Sequence, residues 1–486
     1  MLEAHARHWA KSLLPVYHRL PAPMRHVAVS MRGWPLARLR RSAWAREEAA
    51  LGARLERDPT AAARCVVERL RAILVHAAAT VPWYARAFAE HGFDPVAVEG
   101  PDALRRLPIL ERAALRDAWR DLQSRAIADD DAICTSTSGT TGSGLRVRAT
   151  PEAYARTWAQ QLRHRRWAGI APDEWRITLF GAEVVSRRAD PRRLWVYNVP
   201  DRQILLSAYH LAPRWADAYR RRLERRPLAV EGFPSVLRDV AHVIGPARPG
   251  RPRARVVFTT GEALTAEARS DIGAAFGARV LDEYGQDEKV GFVLECPAGT
   301  YHQVTEYGVL EVVDEAGAPV PPGVEGHLLW TGLVNPAMPL VRYRIGDEGV
   351  VVPGGRPCPC GVTYPAVAPT LTRTGDSLRL AGGRRVSPRL LNQLLKECRS
   401  FAAAQFVQDG PASVTILAEP AGAGAAAEAS ALARRLEAQF GGAVHFQSRI
   451  VDVIARDPSA KRRLVVVRDG GGADGGGADG GGANGV

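Results

Sequence analysis

The chain has 486 residues, 46% of them apolar and 24% charged, with a formal net charge of +13. That length exceeds one ordinary core, so two or more domains are expected. No run approaches the ~18 uninterrupted apolar residues of a bilayer span, and the first residues lack an apolar signal region. A cytoplasmic protein without a transmembrane segment is therefore expected. The positive charge is almost wholly Arg, spread along the chain as in residues 38–46 and 220–226. No helix-turn-helix, zinc-finger or RNA-binding pattern accompanies it, so no specific nucleic-acid partner is expected. Wet faces of amphipathic helices account for most of it, with attraction of anionic substrates or a membrane surface as a milder function.

Residues 1–130 are mainly helical in pattern, with mixed helix and turn signals between Leu104 and Leu122. From Ile133 strand-like runs alternate with amphipathic stretches. The strand candidates are residues 176–180, 194–198, 228–231, 255–259 and 279–283, and this alternation predicts an α/β domain. A β-rich part follows, with strands at 309–313, 326–331 and 349–352. Near Asp376 the pattern restarts as strand, turn and helix (378–380, then 388–398). It continues with strands at 404–407 and 413–417, a helix at 425–440, and strands near Val444 and Leu464. That predicts a small α+β domain over 376–468, with a boundary at 373–376. The repeat D-G-G-G-A over 469–486 cannot bury a core and reads as a disordered tail.

Residues 135–144 read T-S-T-S-G-T-T-G-S-G directly after a short apolar run. Glycines let backbone N–H groups approach an anion, and hydroxyls add donors to phosphate oxygens, so the segment suits a polyphosphate. The Lys-Ser/Thr pair of the common P-loop is missing. Four further stations follow in order: Thr259-Thr260-Gly261-Glu262, Glu283-Tyr284-Gly285-Gln286-Asp287-Glu288, Arg342-Tyr343-Arg344-Ile345-Gly346-Asp347, and Arg373-Thr374-Gly375-Asp376. Lysine occurs only at Lys11, Lys289, Lys396 and Lys461. Where Arg is preferred almost everywhere, a retained Lys is a candidate for work needing a compact point charge.

In this order and spacing the stations resemble the adenylate-forming superfamily of acyl-CoA synthetases, peptide-synthetase adenylation domains and luciferases. The nearer likeness is to the phenylacetate–CoA ligase branch and its capsular-polysaccharide-related subgroup. Residues 20–36, 208–211 and 231–237 add to it, and the resemblance covers about residues 12–468. It implies a large multi-layer αβαβα-like N-terminal domain over 1–373, with a helical first part (1–130), a nucleotide- and acyl-binding remainder (131–373) and a β-rich subdomain. A small mobile lid would follow.

By matching position, Thr137, Ser138, Gly139, Thr140, Thr141 and Gly142 would wrap the β- and γ-phosphates of ATP. Glu262 and Tyr284 would flank the adenine, and Glu288 would bind Mg²⁺. Asp347 would hold the ribose, with Arg373 beside it. Asp376 would be the hinge, and Lys461 would reach the α-phosphate and carboxylate oxygens. His210 and the turn at 231–237 would lie near the acyl pocket. The chain departs from the family pattern at Arg146 (a possible stand-in for the loop's trailing cation), Asp287, Ala460 and the offset of Arg373, which bears on how active this member is.

The six cysteines do not form a secreted disulfide framework. Cys296 and His302 make C-x₅-H, and Cys358-Pro359-Cys360-Gly361 follows downstream. Three thiolates and an imidazole match a closed tetrahedral zinc site, a knuckle spanning 296–361. The competing reading is a turn with buried thiols. Some members of the resembled branch carry such a site.

The resemblance implies an ATP-dependent carboxylate ligase that forms an acyl-adenylate and passes the acyl group to an acceptor, by default coenzyme A. A sugar, an amine or a carrier-protein thiol is an alternative acceptor. Two further readings are an adenylyltransferase and a nucleotide- or nucleic-acid-binding relative without turnover. Oligomeric state stays open, a homodimer included.

Overall fold

The computed structural model describes residues 16–136, 145–180, 184–186, 193–208, 210, 213–354, 357–373, 378–379, 385–386, 391, 394–395, 398, 400–410, 412–439, 444–455 and 463–468. Two compact units emerge, the first running to Arg373 and the second taking Thr374–Ala455 and the chain from Arg463.

The first unit opens with helices Ala22–Arg40, Ala43–Leu55, Pro59–Thr80 and Pro82–Glu90. Their starts are set locally: the Asp58 carboxylate accepts from Ala61 N at 2.9 Å, and Pro59 occupies the first turn, where its missing N–H costs nothing. The Leu104–Leu122 stretch, ambiguous in sequence, becomes a 3₁₀ turn (Pro101–Arg106) and a short helix (Arg112–Asp117).

Strands β1 (Ile133–Ser136) and β2 (Arg146–Ala149) pair with each other. The central sheet uses β3 (Arg176–Leu179), β4 (Trp195–Asn198), β5 (Gln203–Leu206), β6 (Leu228–Gly232), β7 (Ala254–Thr260), β8 (Val280–Gly285), β9 (Phe292–Glu295) and β10 (Tyr301–Gln303). Their order is β10-β9-β8-β7-β6-β3-β5-β4, parallel from β8 across to β5 and antiparallel at both edges. Alternate residues serve opposite faces. Val230 and Val257 join Leu237, Ile272 and Phe276 of helices Pro234–Ile244 and Ala266–Phe276, while Ala229, Val256 and Phe258 join Ile170 on the other side. Burial on both faces is why β6 and β7 carry the short apolar runs 228–230 and 256–258.

A second sheet, β11 (Gly308–Val313), β12 (Glu325–Gly332), β13 (Tyr343–Val351) and β14 (Val367–Arg373), is antiparallel in that order. Its Trp330, Tyr343 and Leu328 pack into one core with Leu70 and Leu74 of the N-terminal helices. Strand β13 starts at Tyr343, six residues before the expected 349. Gly346 has φ +87 and the register shifts between Asp347 and Gly349, so the alternation that betrays a strand is broken.

The second unit contains a two-stranded piece, β15 (Leu378–Arg379) and β16 (Arg385–Val386), and a sheet of β17 (Phe401–Gly410), β18 (Ser413–Pro420), β19 (His445–Ile450) and β20 (Val465–Val467). The order β19-β18-β17-β20 is covered by helix Ala425–Gln439, whose Leu432 and Leu436 meet Phe406, Ile416 and Phe446. The α/β class with a β-rich part and a smaller α+β unit is the one expected from sequence.

Candidate functional site

The parallel strands β7 and β8 end side by side, Thr260 paired with Glu283. Such strand ends are where ligands bind in open α/β sheets. Tyr284, on β8, donates from its hydroxyl to Asp347 Oδ2 on β13 at 2.6 Å. Its ring is stacked on Trp330, with centroids 6.4 Å apart, so hydroxyl and ring are both fixed. The close approach depends on Gly291, where a Cβ would come within 2.3 Å of the Trp330 indole. Asp347 also faces Arg373 across the β13–β14 ladder.

Glu288 is buried just beyond this pair, with Arg112 Nη1 3.9 Å from its carboxylate. Glu262, following β7, accepts from both the N–H and the hydroxyl of Ser235 at 2.9 Å. Its carboxylate thereby caps helix Pro234–Ile244 from a neighbouring loop. One layer deeper, Asp282 is wholly buried between the hydroxyls of Thr259 and Tyr301. Burial pushes its carboxyl up to about 7, and the nearby Glu295 adds to the rise.

His210 is buried, its Nδ1 2.8 Å from Ser207 Oγ and its ring edge-on to Trp215. Within the 231–237 turn, Glu231 is tied to Arg165 and Arg176, and Phe233 meets Phe180.

The second constellation lies at the β9 end of the sheet. Cys296 follows β9, the β9–β10 turn closes with Cys296 N–H donating to Thr300 O at 2.8 Å, and His302 sits in β10. Cys358 and Cys360 arrive from the loop between β13 and β14, where Gly361 at φ +78 donates to Cys358 O. All four ligand atoms lie within 4.8 Å of one another. Cys296 Sγ and Cys358 Sγ are 3.7 Å apart, and Cys360 Sγ is 3.3 Å from His302 Nε2. Two thiolates at ~2.3 Å from a tetrahedral zinc stand about 3.8 Å apart, so the spacing fits a metal, whereas a disulfide needs ~2.05 Å. His302 Nδ1, 3.0 Å from Tyr364 O, fixes the ring as a second-sphere partner would.

No family model matches the chain. It is 26% identical over 335 residues to the phenylacetate-coenzyme A ligase of Thermus thermophilus, covering 65% of this chain and 71% of that protein. The protein CapK of Staphylococcus aureus is 26% identical over 218 residues, covering 44% and 47%. Among solved structures, a 2-hydroxyisobutyryl-CoA ligase in its postadenylation state superposes with a TM-score of 0.64, at 20% identity over 85% of this chain and 91% of that one. The chain is thus similar in sequence to phenylacetate–CoA ligases and CapK, and it shares the fold of an acyl-CoA ligase.

The fold brings Glu262, Tyr284, Glu288 and Asp347 to one end of the strands, and it unites Cys296, His302, Cys358 and Cys360. Thr137, Ser138, Gly139, Thr140, Thr141, Gly142, Asp376 and Lys461 lie outside the described residues, and Arg373 is described only in its backbone. Sequence reading missed Arg112, Ser235 and Trp330. Arg112 meets Glu288 across 176 residues and sits in no motif. Ser235 lies within the 231–237 segment, but its tie to Glu262 depends on the fold. For Trp330 the signal was the β-rich alternation around it.

Proposed function

We propose that this protein is an ATP-dependent, AMP-forming carboxylate ligase that makes an acyl-adenylate and passes the acyl group to coenzyme A. The observation that carries this reading is the buried Tyr284–Asp347 hydrogen bond at the ends of β7 and β8, with Glu262 and Glu288 on the same rim. A ring fixed on both its hydroxyl and one face is a rigid platform for a purine, and an adjoining carboxylate accepts from ribose hydroxyls. Tyr284 and Glu262 would flank the adenine, and Asp347, with Arg373, would hold the ribose. Glu288 would hold Mg²⁺, which neutralises phosphate charge when bound, and Arg112 keeps the Glu288 carboxylate oriented.

The hydroxyls and N–H groups of residues 137–142 would hold the pyrophosphate that leaves when a carboxylate oxygen attacks the α-phosphorus. Lys461 would neutralise charge on both reactants, which in-line attack of one anion on another requires. Thiolate attack on the acyl carbon then expels AMP, after a rotation about Asp376. The relatives named as phenylacetate–CoA ligases support coenzyme A as acceptor. The Cys296, His302, Cys358 and Cys360 cluster would hold a structural zinc that ties the β9–β10 hairpin to the β13–β14 loop; four protein ligands leave no open position for substrate.

Carboxylate-dependent exchange of pyrophosphate into ATP, screened over an acid library, tests the reading. Exchange abolished by Lys461→Ala and restored by no added amine is the expected result. Exchange unaffected by that substitution, or absent with every acid, refutes it.

A further inference from the structure

At the β4 edge of the central sheet, four strands beyond β7, lies a cavity of about 320 Å³ that the proposed reaction does not use. Arg193, Trp195, Tyr197, Arg221, Arg222 and Arg225 line it. Trp195 and Tyr197 alternate along β4 and so share one face, and the three later arginines come from helix Ala216–Arg225. None of the lining residues is acidic.

Two donors in this wall are buried without an acceptor among the described residues: Arg222 Nε and Trp195 Nε1. Arg222 is only 5% exposed. Burial pulls its pKa below the ordinary guanidinium value, with Tyr197 acting against the shift and Arg225 adding to it. Elsewhere the same unit pairs its deep arginines: Arg163 with Glu306, Arg176 with Asp201, Arg253 with Glu224 and Arg342 with Glu311. A buried guanidinium without a counter-charge is strongly unfavourable, and folds keep one where a ligand supplies the missing charge.

We propose that the cleft between β4 and helix Ala216–Arg225 is a binding site for a phosphate group, with Arg222 Nε and Trp195 Nε1 donating to its oxygens and Arg193, Arg221 and Arg225 supplying the surrounding charge. Four arginines exceed what a single carboxylate would neutralise, whereas a phosphate offers two negative charges and several acceptor oxygens to guanidinium forks. The group belongs to a soluble phosphate ester or to a lipid headgroup. Helix Ala22–Arg40 adjoins the cleft: His26 stacks edge-on with Tyr197, and Tyr197 N–H donates to His26 Nδ1 at 3.2 Å. Its inner side holds Ser30, which accepts from Val199 N–H, while Met24, Val27, Met31 and Trp34 stand exposed at helical spacing. Between Glu3 and Glu47 the chain has no acidic residue. An acid-free helix with exposed Met and Trp is what an anionic lipid surface would accept, so a lipid source is tested beside a soluble one.

The test uses the full chain and Arg222→Met, with inorganic phosphate titrated at an ionic strength held constant by chloride. Phosphate is expected to raise the melting temperature of the parent beyond the chloride control. Without phosphate, Arg222→Met should melt at or above the parent, because an uncompensated buried charge is gone. Its calorimetric Kd for phosphate should be at least about tenfold weaker, as for loss of a charge-assisted hydrogen bond. Trp195→Phe, which removes one donor and little volume, should also weaken phosphate binding. An unchanged phosphate response in both variants places the anion elsewhere and overturns the proposal. So does an Arg222→Met protein that melts below the parent without phosphate, which would assign Arg222 to packing. Co-sedimentation with phosphatidylcholine vesicles carrying phosphatidic acid, lost in Arg222→Met, identifies the lipid source. Response to glycerol 3-phosphate without vesicle capture identifies the soluble one. A parent that responds to neither vesicles nor phosphate overturns the proposal.

Discussion

Asp282 makes stability depend on pH in a direction opposite to most carboxylates. It lies wholly buried on β8, two residues before Tyr284, and its carboxyl is raised from 3.8 to about 7. Burial is the main cause and Glu295 adds to it, while the hydrogen bonds of Thr259 and Tyr301 and the charge of Arg269 act the other way. The folded chain therefore keeps a proton that the unfolded chain releases above about pH 4. Stability is highest below that pH, declines as pH climbs toward 7, and the full penalty applies above 7. At ~1.4 kcal/mol per unit, a shift of about 3 units amounts to about 4 kcal/mol, of which about 3 falls between pH 5 and pH 8. Asp282→Asn keeps the shape of the neutral acid and cannot ionise. Urea melts of parent and variant at pH 5 and pH 8 isolate this one group, because other titrations cancel in the double difference. The variant should gain about 3 kcal/mol on the parent between the two pH values. A difference that is equal at both would refute the burial argument and show that Asp282 is ionised in the fold.

Tyr284→Phe removes a buried hydrogen bond to Asp347 and should raise the KM for ATP by about tenfold or more in pyrophosphate exchange; an unchanged KM would detach this pair from the nucleotide. Cys358→Ser should strip zinc, read by elemental analysis, and lower the melting temperature more than Cys65→Ser does, since Cys65 is not in the cluster. Equal zinc content in parent and variant would rule the site out. Gly291→Ala would press a methyl into the Trp330 indole, costing about 1–3 kcal/mol in urea melts and loosening the Tyr284 platform. A variant as stable as the parent would mean that Trp330 can move aside.

The strands at 228–232 and 254–260 were legible because burial on both faces leaves short apolar runs, and those at 176–179 and 280–285 because they alternate with amphipathic stretches, both one-dimensional signals. Strand β5 (Gln203–Leu206) was not: it follows β4 after a brief 3₁₀ turn with no amphipathic stretch between them to mark it off. The Glu262 and Tyr284 stations were readable as strand ends turning on glycine, and the two halves of the Cys/His cluster as spacings. Local chemistry thus determined, from sequence alone, the fold class, the order of the stations and the four residues of the Cys/His cluster. Tertiary structure alone decided that Tyr284 hydrogen-bonds Asp347, that Arg112 stands by Glu288, and that Arg222 is buried without a counter-charge among the described residues. Those facts depend on which distant surfaces meet and on what is absent from the contact. A sequence records the residues present in each segment, and it carries no mark of a partner that folding fails to bring.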